Sequence, residues 1–124
     1  MLDRLFVVLG ALFGLAGVAA AAAAAHVTGE GNLGTAANFL LFHAPVLIAA
    51  TAVMGQGLVR RGIARLAIML IALGAILFCG DLALRALAHA PLFPMAAPTG
   101  GVVLMAGWLL LAVAALVPAG RSAG

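Results

Sequence analysis

Charge is scarce in this chain. Of its 124 residues, 7% are Asp, Glu, Lys or Arg, against about 25% in an ordinary soluble domain. That shortage excludes a water-soluble globular protein. Tyrosine is missing, and Trp and Cys occur once each. With a single cysteine, Cys79, inside an apolar run, no intrachain disulfide can form and thiol usage does not report the redox compartment. Strict polar–apolar alternation is also missing, which argues against a membrane β-barrel. No phosphate loop, cofactor motif or nucleophile–base arrangement occurs, so an enzyme is not expected, nor a catalytic residue or a cofactor.

What the chain has is apolar length. Hydrophobic residues make up 67% of it, and its mean hydropathy is +1.32. A transmembrane helix needs about 20 apolar residues, so there is room for roughly four with short loops. The expected fold is all-α: one integral membrane bundle of four transmembrane helices over residues 1–124, at approximately 5–25, 35–59, 66–88 and 99–117. The pI near 11.3 does not point to nucleic acid. It comes from six basic residues, all arginine, against three acids, and the arginines lie at the ends of spans.

The first run, Leu5 to Ala25, has two readings. A short charged start, an apolar middle and an Ala-rich end describe a secretory signal peptide, cleaved after Ala25. Near-span length and the GALFG motif, with Gly10 and Gly14 spaced for close helix approach, describe a retained helix. The second reading is the expected one. The second span carries Asn38, His43 and Pro45, and Pro45 removes a backbone donor, so a kink is expected there. A basic loop follows, with Arg60, Arg61 and Arg65.

The third span contains Asp81 and Arg85, and a proline-rich loop leads to the fourth, which opens with Thr99, Gly100 and Gly101 and holds Gly107 and Trp108. Four spans put Arg4, Arg60, Arg61, Arg65 and Arg121 on one side. The positive-inside rule then places both termini in the cytoplasm and the protein in the inner membrane.

The polar residues gather in the outer half. From Leu66, a rise of about 1.5 Å per residue puts Arg85 roughly 28 Å up and Asp81 about 6 Å deeper. His26, Asn38 and His43 belong to the same half, whereas the inner half is apolar apart from Thr51 and Gln56. Asp81 and Arg85 are spaced for an i, i+4 ion pair. The plain alternative to a functional pair is that Arg85 snorkels to headgroups while Asp81 neutralises it. His43 is either a proton acceptor, a ligand or a hydrogen bond to a neighbouring helix, the last being the ordinary case. Asn38 and His43 point about 140° apart, so they do not address one site on a straight helix. No pair of His, Cys or Asp shows metal-ligand spacing, and no metal is expected. Trp108, about ten residues into its span beside Gly107, reads as a packing anchor that needs an acceptor for its N–H.

The segments AAAAAH, NFLLFHA, ILFCGDLAL and PTGGVVLMAGWLLLAVAAL occur in this order. Together they resemble the small membrane proteins of domain of unknown function 423, the group that includes transmembrane protein 256. There the corresponding pieces look like GAH, a YQxxHAL-type segment, FSGSLY, and TPxGG followed by GW. The resemblance places His26, His43, Gly80, Pro98, Gly100, Gly101, Gly107 and Trp108 on motif positions. Cys79 and Asp81 stand where the family tends to have serines, and Pro45 interrupts its HALAL. The resemblance implies a four-helix inner-membrane protein and supplies no activity.

The residues support three functional expectations. The first is a structural or accessory protein of the lipid bilayer, packing with itself or with other subunits through its small residues. The second is a small proton or solute carrier using His43 and Asp81. The third is a lipid- or quinone-binding module. The candidate polar cluster is His26, Asn38, His43, Asp81 and Arg85. The candidate packing motif is Gly10, Gly14, Gly100, Gly101, Gly107 and Trp108.

Overall fold

The computed structural model describes residues 1–118; Arg121 lies outside them. Four helices fill the described chain: α1 Leu2–Ala23, α2 Gly31–Gly55, α3 Arg61–Leu87 and α4 Ala96–Leu116. All four are long and apolar enough to cross a bilayer, and no strand is present among the described residues.

The helices begin three to five residues before the apolar runs do. Asp3 and Arg4 lie in the first turn of α1, and Arg61 and Arg65 in the first turns of α3. Backbone hydrogen bonding does not stop where the hydrocarbon stops, so a span is shorter than its helix. α2 conversely ends at Gly55, four residues short of Val59. Gly57, at φ +77°, takes up a left-handed turn that L side chains resist. α1 runs into a wider π turn, Ala24–Thr28, which Gly29 ends at φ +81°. α2 continues through Pro45 as one helix.

Packing follows chain order. α1 lies on α2, α2 on α3, and α3 most extensively on α4, while α1 has a slight contact with α3. Leu47, Met54, Ile68 and Ile71 are fully buried along the central α2–α3 seam, and Phe6 and Phe13 close it from α1. The two outer seams use glycine. A methyl group on Gly10 would sit 2.8 Å from the Ile48 side chain and 2.9 Å from the Ala44 carbonyl, and one on Gly17 would meet Leu41 at 2.8 Å. Between α3 and α4 the approach is backbone to backbone. A Cβ on Gly74 would stand 2.5 Å from the Leu104 nitrogen, one on Gly100 2.5 Å from the Phe78 nitrogen, and one on Gly107 2.8 Å from the Ile71 nitrogen.

Not every glycine of the candidate motif carries such a contact. Gly14 has Ala44 at 3.8 Å, ordinary van der Waals distance, and Gly101 has Phe78 at 4.0 Å. Gly80, on a motif position of the family, faces open space. On α3 the close contact is carried by Gly74, which lies outside the family's motif segments.

Candidate functional site

Three polar side chains are buried within the spans: His43, Thr51 and Asp81. Each finds its partners inside the fold. Thr51, one turn below Leu47 on α2, donates its hydroxyl to the Leu47 carbonyl at 2.7 Å. Such back-bonding is how a helix carries threonine through lipid without an orphan hydroxyl.

Asp81 sits on the face of α3 that carries Gly74 and Phe78, and it is fully buried. Its Oδ2 accepts from Arg85 Nε at 2.8 Å, the i, i+4 pair the spacing requires. Its Oδ1 accepts the Leu92 backbone N–H at 2.8 Å, from the loop between α3 and α4. No side chain of the loop itself caps α4. Asp81 therefore does more than neutralise a snorkelling arginine. It fastens a loop in which His89 and Met95 hold left-handed backbone angles, φ 56° and 67°, that are uncommon for residues other than glycine. The Arg85 side chain is 42% exposed and reaches the edge of the bundle.

His43 on α2 is 5% exposed. Its Nδ1 lies 2.7 Å from the Phe39 carbonyl and its Nε2 3.0 Å from Trp108 Nε1 on α4. A carbonyl accepts and an indole N–H donates, so the partners assign the tautomer: Nδ1–H donates and the bare Nε2 accepts. The histidine does bond a neighbouring helix, but as the acceptor, with its own proton spent within α2. The imidazole also stacks on Phe39 at 5.8 Å, and Phe39 meets Phe78 of α3 at 4.7 Å. Trp108, His43, Phe39 and Phe78 thus form one aromatic string across α4, α2 and α3. Phe39 was not singled out in the sequence. Its position one turn before His43 is the signal that marks it.

The remaining candidates do not join this arrangement. His26 lies exposed in the π turn, and Asn38 lies exposed on another face of α2 from His43. The expected cluster divides into an Asp81–Arg85–loop clasp and a His43–Trp108 link, with Phe39 and Phe78 between them. Among the described residues no three His, Cys, Asp or Glu side chains gather to hold a metal ion.

The opposite end carries a feature the sequence did not disclose. Asp3 meets Arg61 and Arg65, each at 3.4 Å, tying the start of α1 to the start of α3. Beside it, the Arg60 backbone N–H donates to the Ala114 carbonyl at 2.8 Å, which anchors the α2–α3 loop to the end of α4. Between this anchor and Trp108 runs a groove of about 500 Å³. α2 lines it with Val46, Ala49, Ala50 and Val53, and α4 with Leu111, Ala112 and Ala115.

Comparison with known proteins agrees with this picture. The family model described as "Protein of unknown function (DUF423)" matches residues 19–101, from the end of α1 into α4. The UPF0382 inner membrane protein YgdD of Escherichia coli K12 is 30% identical over 129 aligned residues, covering 94% of this chain and 92% of that protein. Its counterpart in Shigella flexneri aligns with the same identity and coverage. No solved structure matches the chain. The four spans and this relative make the chain a multi-pass inner-membrane protein, and nothing in the comparisons indicates an enzymatic activity. The chain belongs to the DUF423 family of membrane proteins of unknown function.

Proposed function

We propose that this protein is a non-catalytic accessory component of the membrane, one that associates with itself or with a larger membrane complex and moves no solute. The observation that carries the reading is the fate of the polar groups inside the spans. Thr51, His43 and Asp81 each bond to backbone or to a neighbouring side chain within the fold. A proton or ion path is marked by ionisable groups that face a wet cavity and hand over their hydrogen bonds. Here the bonds are already committed, and the groove beside them is apolar. The outward surface is apolar: Leu15, Val18, Val102, Met105, Leu109 and Leu116 are all more than half exposed to the surrounding lipid, which suits a protein whose neighbours lie within the bilayer.

The positive-inside rule supports an orientation with Arg4, Arg60, Arg61 and Arg65 toward the cytoplasm, and this orientation is part of the proposal. Extraction of native membrane patches with a polymer that keeps the surrounding lipid tests the reading. A second copy or another membrane protein is expected with the chain at fixed stoichiometry. A lone monomer in lipid overturns it. So does a proton or solute flux in liposomes that falls with Asp81→Ala or His43→Ala.

A further inference from the structure

We infer that the α2–α4 groove and Arg60 together form a binding site for one anionic phospholipid, with an acyl chain in the groove and the phosphate at the arginine. This goes beyond the accessory reading and stands on different residues.

The groove has the proportions of a chain in one leaflet. From Trp108 to Ala115, and likewise from Val46 to Val53, seven residues at a helical rise of about 1.5 Å make a channel roughly 10 Å long. One leaflet contributes about 15 Å of the 30 Å hydrocarbon core. The groove therefore covers about two thirds of a leaflet, and it runs parallel to the helices, as an acyl chain does. Its walls hold Val, Ala and Leu side chains, with the Trp108 ring at the deep end. An apolar slot of this length, running along the helices, accepts a lipid tail.

The mouth of the groove supplies the charge. Val59 lines it, and Arg60 follows directly, with its backbone held to Ala114 one residue from the lining Ala115. Arg60 is exposed. Its guanidinium has no partner among the described residues, whereas Arg61 and Arg65 are engaged by Asp3. A guanidinium fork matches the oxygens of a phosphate, and basic groups at this depth recognise anionic headgroups. An apolar slot whose last lining residue is followed by an exposed arginine is complementary to an anionic lipid. Arg4 is exposed at the same end but belongs to α1, which does not border the groove, so it serves as the control.

Native mass spectrometry of the full chain in detergent tests the site, with phosphatidylglycerol or phosphatidylcholine of matched chains added. Wild type is expected to retain one phosphatidylglycerol in clear preference to phosphatidylcholine. Arg60→Gln should lower that retention about fivefold, the value of one basic residue at an anionic surface, and leave phosphatidylcholine unchanged. Ala112→Phe, which fills the groove, should lower retention of both. Arg4→Gln should behave as wild type. Circular dichroism confirms that each variant is folded, and if Ala112→Phe is not, Ala49→Leu replaces it. Equal retention of the two lipids by wild type overturns the site, as does full retention by Arg60→Gln. A dimer or partner that Ala112→Phe removes, with lipid binding intact, shows that a protein fills the groove and overturns it as well. Retention of lipid by a chain that is otherwise a lone monomer supports the site while contradicting the accessory reading, so the two fail separately.

Discussion

Gly100 and Gly101 are neighbours in one motif, and they should answer very differently to a single methyl group. On Gly100 the new Cβ would lie 2.5 Å from the Phe78 nitrogen, 2.9 Å from the Gly74 carbonyl oxygen and 2.9 Å from the Leu77 Cβ. Two of those three neighbours are backbone atoms inside α3, so no rotamer change relieves the clash. Carbon–nitrogen contact normally begins at about 3.5 Å, and α3 and α4 must part by roughly 1 Å. A gap of that size forfeits a quarter to a half of the dispersion well for the atoms along it. Overpacking of a close contact costs about 1–3 kcal/mol, and Gly100→Ala belongs in that range. On Gly101 the nearest atom is the Phe78 ring edge at 4.0 Å, which is ordinary contact. Gly101→Ala should fall within about 0.5 kcal/mol of wild type, the level of a substitution away from any such feature. Unfolding by sodium dodecyl sulfate in mixed micelles gives both values, followed by Trp108 fluorescence and by the reactivity of the buried Cys79. Equal stabilities for the two variants would refute a backbone-to-backbone α3–α4 seam.

Removing the acceptor by His43→Phe should leave the indole N–H of Trp108 unpaired and cost about 0.6–1.7 kcal/mol, the range for interhelical hydrogen bonds in membranes. Trp108→Phe should cost a similar amount, and the double variant no more than either alone if the pair is one bond. Asp81→Asn keeps an oxygen for the Leu92 amide, so hydrogen exchange across residues 88–95 should stay slow; Asp81→Ser is too short to reach it and should speed that exchange while leaving the protein in the membrane. Slow exchange in the serine variant would show that the loop does not depend on the carboxylate. Asp3→Asn should shift stability by less than about 1 kcal/mol in the same titration, because its arginine partners are 3.4 Å away and substantially exposed.

Four spans are legible because hydropathy is a long-window signal that single residues do not disturb. The Asp81–Arg85 pair is legible because it is local, set by i, i+4 spacing on one helix. What required the structure was everything that depends on how the helices face one another. His43 and Trp108 lie 65 positions apart, Asp3 and Arg61 58 apart, and no periodicity connects them. Glycine motifs showed the same limit. GALFG and TGG each marked a seam, yet the close contact fell on Gly10, Gly17 and Gly100 and passed over Gly14 and Gly101. Rotation about the helix axis decides that choice. Helices start before the apolar runs, at charged residues in α1 and α3 and at small or polar ones in α2 and α4, since polarity reports the membrane interface and not the end of hydrogen bonding.

The distribution of the seams carries a consequence for how the molecule is made. Both glycine seams, α1 on α2 and α3 on α4, join helices that are adjacent in sequence, with short connections between them. Each pair is a hairpin able to zip shut as soon as its second helix has entered the bilayer. Contacts close in sequence form fast, because little chain entropy is lost in bringing them together. The leading hairpin can thus be sealed while the trailing one is still being synthesised. Each later helix then adds to a surface already formed, α3 on α2 and α4 on α3, with the Asp3 ion pairs to Arg61 and Arg65 fixing α3 against α1 from one end.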